Sequence, residues 1–142
     1  MSWVNLKDIF VSKDEGDYIV ERKIERNSSG TNVYHVTKWN SGLCEAWMEP
    51  YDRSDSPIDI TTPYGGLYYN SGSSHGTSQY IPDSFTKVYS IECPALTGNG
   101  LIQITAYDIN NLTDGFSMYF MSATSMPSAT PLYSVHIVGE WK

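Results

Sequence analysis

Carboxylate side chains offer the most direct chemistry in this sequence, since a glycosidase needs only two of them, about 5–9 Å apart. Glu45, Glu49, Glu92 and Asp108 are the candidates for such an acid and base pair. Their spacing singles out no pair, and the sequence contains no Gly-x-Ser-x-Gly elbow, phosphate-binding glycine loop or His-Glu-x-x-His helix. We therefore predict that the protein is not an enzyme and retain glycan cleavage as the least favoured alternative.

A second group of carboxylates, Asp52, Asp55 and Asp59, lies within one short polar segment. Calcium takes about six to eight oxygen ligands, which three carboxylates and nearby carbonyl groups could supply. The order of the residues does not match an EF-hand loop, so a solvated turn is favoured over a calcium site. The three histidines show no ligand spacing with the cysteines, and no metal or other cofactor is predicted.

The two cysteines, Cys44 and Cys93, each lie inside an apolar strand pattern. One disulfide is possible, but we predict free, buried thiols that behave as small hydrophobic side chains.

Tyrosines cluster on both sides of a glycine- and serine-rich segment, residues 70–79. A tyrosine has a flat apolar face and a polar tip, which match the C–H patches and hydroxyl groups of a sugar. Amide and imidazole groups at the same place add hydrogen bonds. The predicted ligand-binding residues are Tyr64, Tyr68, Tyr69, Asn70, His75, Gln79 and Tyr80.

The charge of the chain limits its partners. A net charge of −7 argues against nucleic acid and against anionic membrane surfaces, because both require a basic face. No apolar run approaches the roughly 18 residues of a membrane span, so no membrane insertion is expected. Residues 60–142 contain five acidic and two basic side chains and are otherwise rich in uncharged polar residues, which is typical of neutral-ligand binders. The alternative is that these residues only fill exposed strand faces and loops.

Short apolar segments bounded by Gly, Pro, Asn, Asp or Ser predict about eight strands and no long amphipathic helix. This pattern indicates an all-β protein, an antiparallel β-sandwich that is lectin-like or jelly-roll-like. Residues 1–16 are expected to form an N-terminal arm or stalk connection, and residues 17–142 the sandwich domain. The predicted strands are Tyr18–Glu25, Val33–Trp39, Leu43–Pro50, Gly66–Asn70, Phe85–Cys93, Leu101–Asp108, Phe116–Met121 and Leu132–Glu140.

The second and third of these strands form a predicted hairpin around Asn40-Ser41-Gly42. A three-residue link that ends in glycine suits a type I turn closed by a residue with positive φ, which Gly42 adopts at little cost.

Glu45 lies on the same strand face as Trp47. A buried, unpaired carboxylate is costly, so we expect Glu45 to pair with Lys38, Arg22 or a donor of another subunit. Trp39 and Trp47 are expected to be core or intersubunit anchors rather than sugar platforms.

The hairpin also carries a recognisable pattern: a lysine-tryptophan pair, a turn with glycine, and an acidic residue two positions before a second tryptophan. These residues are Lys38, Trp39, Gly42, Glu45 and Trp47, and the chain ends Gly139-Glu140-Trp141-Lys142. The pattern resembles the C-terminal domain of tail-fibre and minor structural proteins of phages and prophages of Gram-positive and gut bacteria, over roughly residues 17–142. The resemblance implies a β-sandwich similar to the trimeric H-type lectins, at the tip of a fibre, and implies no catalytic residues.

From this resemblance we expect a receptor-binding tip that recognises a bacterial surface glycan or another host receptor. We expect a homotrimer, because a fibre tip inherits the threefold axis of its stalk. The expected location is the virion, after synthesis in the host cytoplasm, and the chain is expected to be part of a longer fibre protein. The alternative is a purely structural domain that trimerises and caps the fibre without a ligand.

Overall fold

The computed structural model describes residues 16–70, 79–98, 100–107 and 115–142. Within these ranges every regular element is a β-strand and all named strand pairs are antiparallel, which confirms the predicted all-β class. These ranges hold no helix that is long and apolar enough to cross a membrane. The predicted arm lies outside them except for Gly16, and so do His75 and Asp108.

The described residues form fourteen strands in four sheets. The strands are β1 (Ile19–Arg26), β2 (Val33–Trp39), β3 (Leu43–Met48), β4 (Tyr51–Asp52), β5 (Ile58–Ile60), β6 (Thr62–Tyr64), β7 (Leu67–Tyr69), β8 (Lys87–Glu92), β9 (Ala95–Thr97), β10 (Gln103–Tyr107), β11 (Ser117–Ser122), β12 (Met126–Ala129), β13 (Leu132–Tyr133) and β14 (His136–Glu140). The first sheet has the strand order β1-β2-β3-β14-β8, and the second sheet has the order β10-β11-β7-β6. The two smaller sheets are β12-β5 and β4-β13-β9.

Alternation of side chains directs one face of each large sheet into a shared core. In β3 the residues Cys44, Ala46 and Met48 are buried, and in β11 Met118 and Phe120 are buried. All of them belong to one hydrophobic cluster, to which the smaller sheets also contribute. The fold is therefore sandwich-like, with two large sheets that share one core.

The strand count differs from the prediction. Five short strands, β4, β5, β6, β9 and β12, were not predicted, and the predicted strand Leu132–Glu140 is divided into β13 and β14. Each unpredicted strand has only two to four residues, which is too short for a period of two to be visible. The segment 52–64, which no predicted strand covers, contains β5 and β6, and Ile58 and Ile60 enter the core.

The turn between β2 and β3 has the predicted geometry. Gly42 has a φ of 104°, and its N–H donates to the Trp39 carbonyl at 3.0 Å. The Asp17 carboxylate accepts from the Ser41 N–H at 2.8 Å and also from the Ser41 hydroxyl, which holds the pKa of Asp17 below its usual range. The Tyr18 carbonyl accepts from the Asn40 N–H at 2.8 Å. The start of the described domain is thereby attached to this turn.

The end of the chain closes on the same turn. The Trp141 N–H donates to the Gly42 carbonyl at 3.0 Å, and its indole N–H donates to the Trp39 carbonyl at 2.8 Å. Lys38 Nζ lies 5.4 Å from the centre of the Trp141 ring, within cation–π distance. These contacts give the residues of the predicted pattern a structural role, because they join the hairpin to the C-terminal strand.

Both cysteines are free and buried, as predicted. Burial raises the pKa of the Cys44 thiol to about 11 and that of the Cys93 thiol to about 12. The reactive thiolate form is therefore scarce in the folded protein at neutral pH.

We expect neither cysteine to react with Ellman's reagent at pH 8 until the protein unfolds, after which both should react quickly. Because both pKa values are raised, the stabilising contribution of the protonated thiols is complete below the ordinary thiol pKa of 9.0. It is lost as the pH rises from there to about 11 for Cys44 and to about 12 for Cys93. The rates of reaction with Ellman's reagent in buffer and in urea measure the difference between the folded and the unfolded protein. Rapid labelling of a folded cysteine would contradict the described burial.

Gly139 lies at a bulge where β14 changes register against β8, between Val138 and Gly139. A Cβ atom at this position would lie 1.9 Å from the Lys87 carbonyl oxygen and 3.0 Å from Cδ1 of Phe85. Any side chain at position 139 must displace the backbone of β8, because the Lys87 carbonyl group lies directly against the Gly139 Cα.

We expect Gly139→Ala to lower the free energy of unfolding by roughly 1–3 kcal/mol, the usual cost of an overpacked site. Gly98→Ala is the matched control, because its Cβ would approach no atom closer than the Pro131 Cα at 3.4 Å. The control should change stability by less than about 0.5 kcal/mol. Urea denaturation of both variants measures the difference, and equal midpoints would show that β8 does not pack this closely.

Candidate functional site

The outer face of the second sheet carries exposed aromatic side chains. In β6 and β7 the pairing sets Tyr64 opposite Leu67, and Tyr69 pairs with Met121 of β11. Tyr119 follows on the same face two residues before Met121. The period of two thus directs Met118 and Phe120 of β11 into the core and leaves the tyrosine and methionine outside.

Three tyrosine rings form a continuous edge-to-face row across this sheet. The ring centres of Tyr64 and Tyr69 are 6.2 Å apart at an interplanar angle of 80°, and those of Tyr69 and Tyr119 are 5.6 Å apart at 79°. Tyr64 is 78% exposed, so its ring is largely open to solvent. The edge-to-face contacts favour these relative orientations of the rings.

These rings border an open cavity of about 350 Å³. A neighbouring cavity of about 270 Å³ shares Leu67 and Met121 with the first and extends to Leu101, which is 85% exposed. Together the two cavities form one concave surface, which we call the aromatic groove. The first cavity is lined by Tyr64, Leu67, Tyr68, Tyr69, Tyr119 and Met121.

Among the residues that the structure describes, no charged side chain lines the aromatic groove. The four strands of the second sheet contain no Asp, Glu, Lys or Arg at all. The groove can therefore stack an apolar ligand face on tyrosine rings and hydrogen-bond through tyrosine hydroxyl groups. It has no carboxylate for acid and base chemistry within the described residues.

The structure brings Tyr64 and Tyr69 of the predicted binding residues onto the outer face of the aromatic groove, whereas Tyr68 lines the cavity and also packs against the hydrophobic core. Asn70 is buried instead. Its Oδ1 accepts from the Phe120 N–H at 2.6 Å, and its own N–H donates to the Phe120 carbonyl at 3.2 Å. Its polar groups thus extend the pairing between β7 and β11 and do not reach the groove.

Gln79 is also buried, within a network of side-chain amides. Its Oε1 accepts from Asn32 Nδ2 at 2.7 Å, and its Nε2 donates to the Tyr133 hydroxyl at 3.2 Å. Tyr80 packs edge-on against buried Tyr34, with ring centres 6.1 Å apart. Neither residue lines the groove, and His75 lies outside the described residues.

Sequence reasoning missed the contribution of β11 and of Leu101 to the groove. The alternation of Met118, Tyr119, Phe120 and Met121 was visible and placed Tyr119 and Met121 on one strand face. It could not show that β11 pairs with β7, some fifty residues earlier, because nothing local specifies a partner at that distance.

Within one copy, the expected pairing of Glu45 with Lys38 or Arg22 was wrong. Its Oε1 lies 2.8 Å from Nε2 of His136, because β14 is the neighbour of β3. Lys38 pairs with Glu21 of β1 at 2.8 Å instead. Trp47 is not a core anchor either, since it is 48% exposed and stacks on the His136 ring with centres 3.8 Å apart.

The carboxylates considered for calcium make separate local contacts. Asp52 accepts from the Ser54 hydroxyl and, at 2.9 Å, from the Ser54 N–H, and these bonds hold its pKa below the usual range. Asp59 accepts from the Ser128 N–H at 2.9 Å. In the part of the chain that the structure describes, no three His, Cys, Asp or Glu residues are grouped to hold a metal ion.

No family model, curated protein or solved structure matches the chain. The functional interpretation therefore depends on the aromatic groove and on the sequence pattern of the hairpin.

The different positions of Gln79 and Tyr64 lead to opposite expectations for stability. Gln79→Leu removes the acceptor of Asn32 and the donor to Tyr133, and leaving buried polar groups unpaired costs about 1–3 kcal/mol. Tyr64→Ala should change the free energy of unfolding by less than about 0.5 kcal/mol, because the ring is exposed. Urea denaturation compares the two, and a similar loss in both would mean that Tyr64 belongs to the core.

Proposed function

We propose that this protein is a receptor-binding domain of a phage tail fibre or minor structural protein, and that it binds a neutral bacterial surface glycan in the aromatic groove. The observation that carries the proposal is the row of tyrosine rings in an open groove whose described lining residues carry no charge. The alternation of β6, β7 and β11 places this row on the solvent side of the second sheet.

The chemistry of the groove suits a sugar chain. One side of a sugar ring is a patch of C–H groups that stacks on an aromatic face, and its hydroxyl groups pair with hydroxyl groups such as those of tyrosine. An uncharged groove gives no electrostatic advantage to a phosphate or carboxylate ligand. Because it is open along the sheet, the groove admits an internal part of a polysaccharide as well as its end.

The phage setting comes from the pattern of Lys38, Trp39, Gly42, Glu45 and Trp47 and from the resemblance it carries. In that setting the domain forms a homotrimer at a fibre tip of the virion after synthesis in the host cytoplasm. One shallow groove binds weakly, and three copies facing one cell surface raise the overall affinity through multivalency.

A structural role is the second candidate, and the exposure of Leu67 and Leu101 favours it. Contiguous exposed apolar surface is typical of protein interfaces as well as of ligand sites. In this alternative the groove is covered by another part of the fibre, and the domain only trimerises and caps it.

We expect Tyr64→Ala, Tyr69→Ala and Tyr119→Ala each to weaken glycan binding roughly two- to tenfold, the value of one aromatic contact. Tyr89→Ala is the matched control, because Tyr89 is a 55% exposed tyrosine on β8 of the other sheet. Binding to arrays of neutral bacterial polysaccharides and to host cells measures the effect, with light scattering on every variant.

Normal binding by all three groove variants would place recognition elsewhere. Loss of assembly in the groove variants but not in Tyr89→Ala, with no glycan bound by the parent, would establish the structural role. Release of reducing ends from a bound polysaccharide would show instead that the protein is an enzyme.

A further inference from the structure

The outer face of the first sheet carries two opposite sets of side chains. On β1 the outward residues Arg22, Ile24 and Arg26 alternate basic, apolar, basic, and we call them the basic triplet. On β3 and the residue that follows it, Glu45, Trp47 and Glu49 alternate acidic, apolar, acidic, and we call them the acidic triplet. Each triplet spans the same length, because alternate residues of a strand are about 7 Å apart.

The two triplets are in register across the intervening strand β2. Arg22 pairs with Thr37, which pairs with Glu45. Ile24 and Trp47 share His35 as their partner in the same way.

Val33 links the third pair of residues, Arg26 and Glu49. Arg26 pairs with Val33, and the Val33 carbonyl accepts a hydrogen bond from the Glu49 N–H at 2.7 Å. Each arginine thus lies at the same height along the strands as one glutamate.

Within one copy the triplets form no ion pair with each other, and two strand spacings, about 10 Å, separate their strands. Neither Arg22 nor Arg26 forms an ion pair with any described residue. Glu45 and Glu49 each use Oε1 for a histidine, His136 and His35, which leaves Oε2 for a further donor.

The apolar centres of the triplets are also uncovered. Ile24 and Trp47 are both 48% exposed. The face therefore presents exposed apolar side chains flanked by arginines and glutamates that do not pair with each other within one copy.

We propose that this face is an interface between copies of the chain, in which the basic triplet of one copy packs on the acidic triplet of the next. When two copies are related by a rotation about an axis parallel to the strands, no residue is shifted along the strand direction. Such a rotation therefore sets Arg22 opposite Glu45, Ile24 opposite Trp47 and Arg26 opposite Glu49. Arginine and glutamate side chains that point towards each other together span about 10 Å between the strands of neighbouring copies, the spacing found between packed sheets. A twofold axis across the strands would instead set β1 on β1 and arginine on arginine.

The inference rests on the proposed function for the number of copies, since a fibre tip requires three around one axis. It also fits the position of the aromatic groove. The two sheets turn their inner faces to one core, so association through the first sheet leaves the groove of the second sheet directed away from the neighbouring copies.

Charge reversal on each side tests the contact. Arg22→Glu with Arg26→Glu, and separately Glu45→Arg with Glu49→Arg, set like charges against each other across the interface. Each double variant should weaken association at least about a hundredfold. Light scattering should then report a mass near 15.9 kDa, against about three times that mass for the parent. Asp55→Arg, a change in an exposed turn, is the control and should assemble normally.

The variant with all four reversals separates a lost contact from a damaged fold, because it restores opposite charges at every pair and should reassemble.

Mixing the two double variants then determines the symmetry. A twofold pair of unlike variants has only complementary contacts and would form, whereas a ring of three must include one contact between like variants and would not close.

Parent protein that stays monomeric at tens of micromolar, reversed variants that keep the parent mass, or a fourfold variant that is folded yet monomeric would each overturn the interface. A dimer in the mixture would support the interface, and a parent mass of twice rather than three times 15.9 kDa would contradict the trimer. Glycan binding is scored separately on the monomeric variants, which should keep the affinity of a single groove. Charge-dependent assembly without any glycan binding would therefore contradict the proposed function and leave this inference intact.

Discussion

Pairing of the last strand between β3 and β8 is the contact on which the rest of the structure depends. β14 supplies Ile137 to the core and brings His136 to Glu45, Trp141 to the β2–β3 turn and Gly139 to the β8 backbone. The residues that it joins to β3 are about ninety positions apart in the chain. Closing so long a loop costs conformational entropy before any contact forms. Because β14 is the last of the described strands, the first sheet is completed only after most of the chain has been synthesised.

The alternation of the strands then separates two kinds of surface. The first sheet carries arginines, glutamates and histidines on its outer face. The strands of the second sheet contain no arginine, glutamate, lysine or aspartate. The uneven distribution of charge along the sequence thus becomes a division in space. One face is suited to directional contacts between charges, and the other to stacking and hydroxyl hydrogen bonds.

The sequence predicted the features whose causes are local. The β2–β3 turn follows from the positive φ that Gly42 permits, the burial of Cys44 and Cys93 from their apolar strand positions, and the all-β class from repeated short alternating segments. Three of the groove tyrosines were also identified, because they surround one segment of the chain. In each case the physical cause lies within a few residues.

The remaining features depend on partners far away in the chain. Asn70 and Gln79 read as exposed polar residues, but they are buried because their amides satisfy backbone and side-chain groups of β11, Asn32 and Tyr133. The partner of Glu45 proved to be His136, and Tyr119 reached the groove through pairing of β11 with β7. Two- and three-residue strands such as β4 and β5 form only because neighbouring strands offer hydrogen-bonding edges.

Attachment of both ends of the described domain to the residue 40–42 turn makes the chain almost a closed ring. Asp17 and Tyr18 bond to Ser41 and Asn40, while Trp141 bonds to Gly42. A short linker could therefore join the two ends, and new ends could be opened at another surface turn without altering a strand pair of the first sheet. By the same geometry the described domain can be grafted into a loop of an unrelated carrier, with both junctions at one turn.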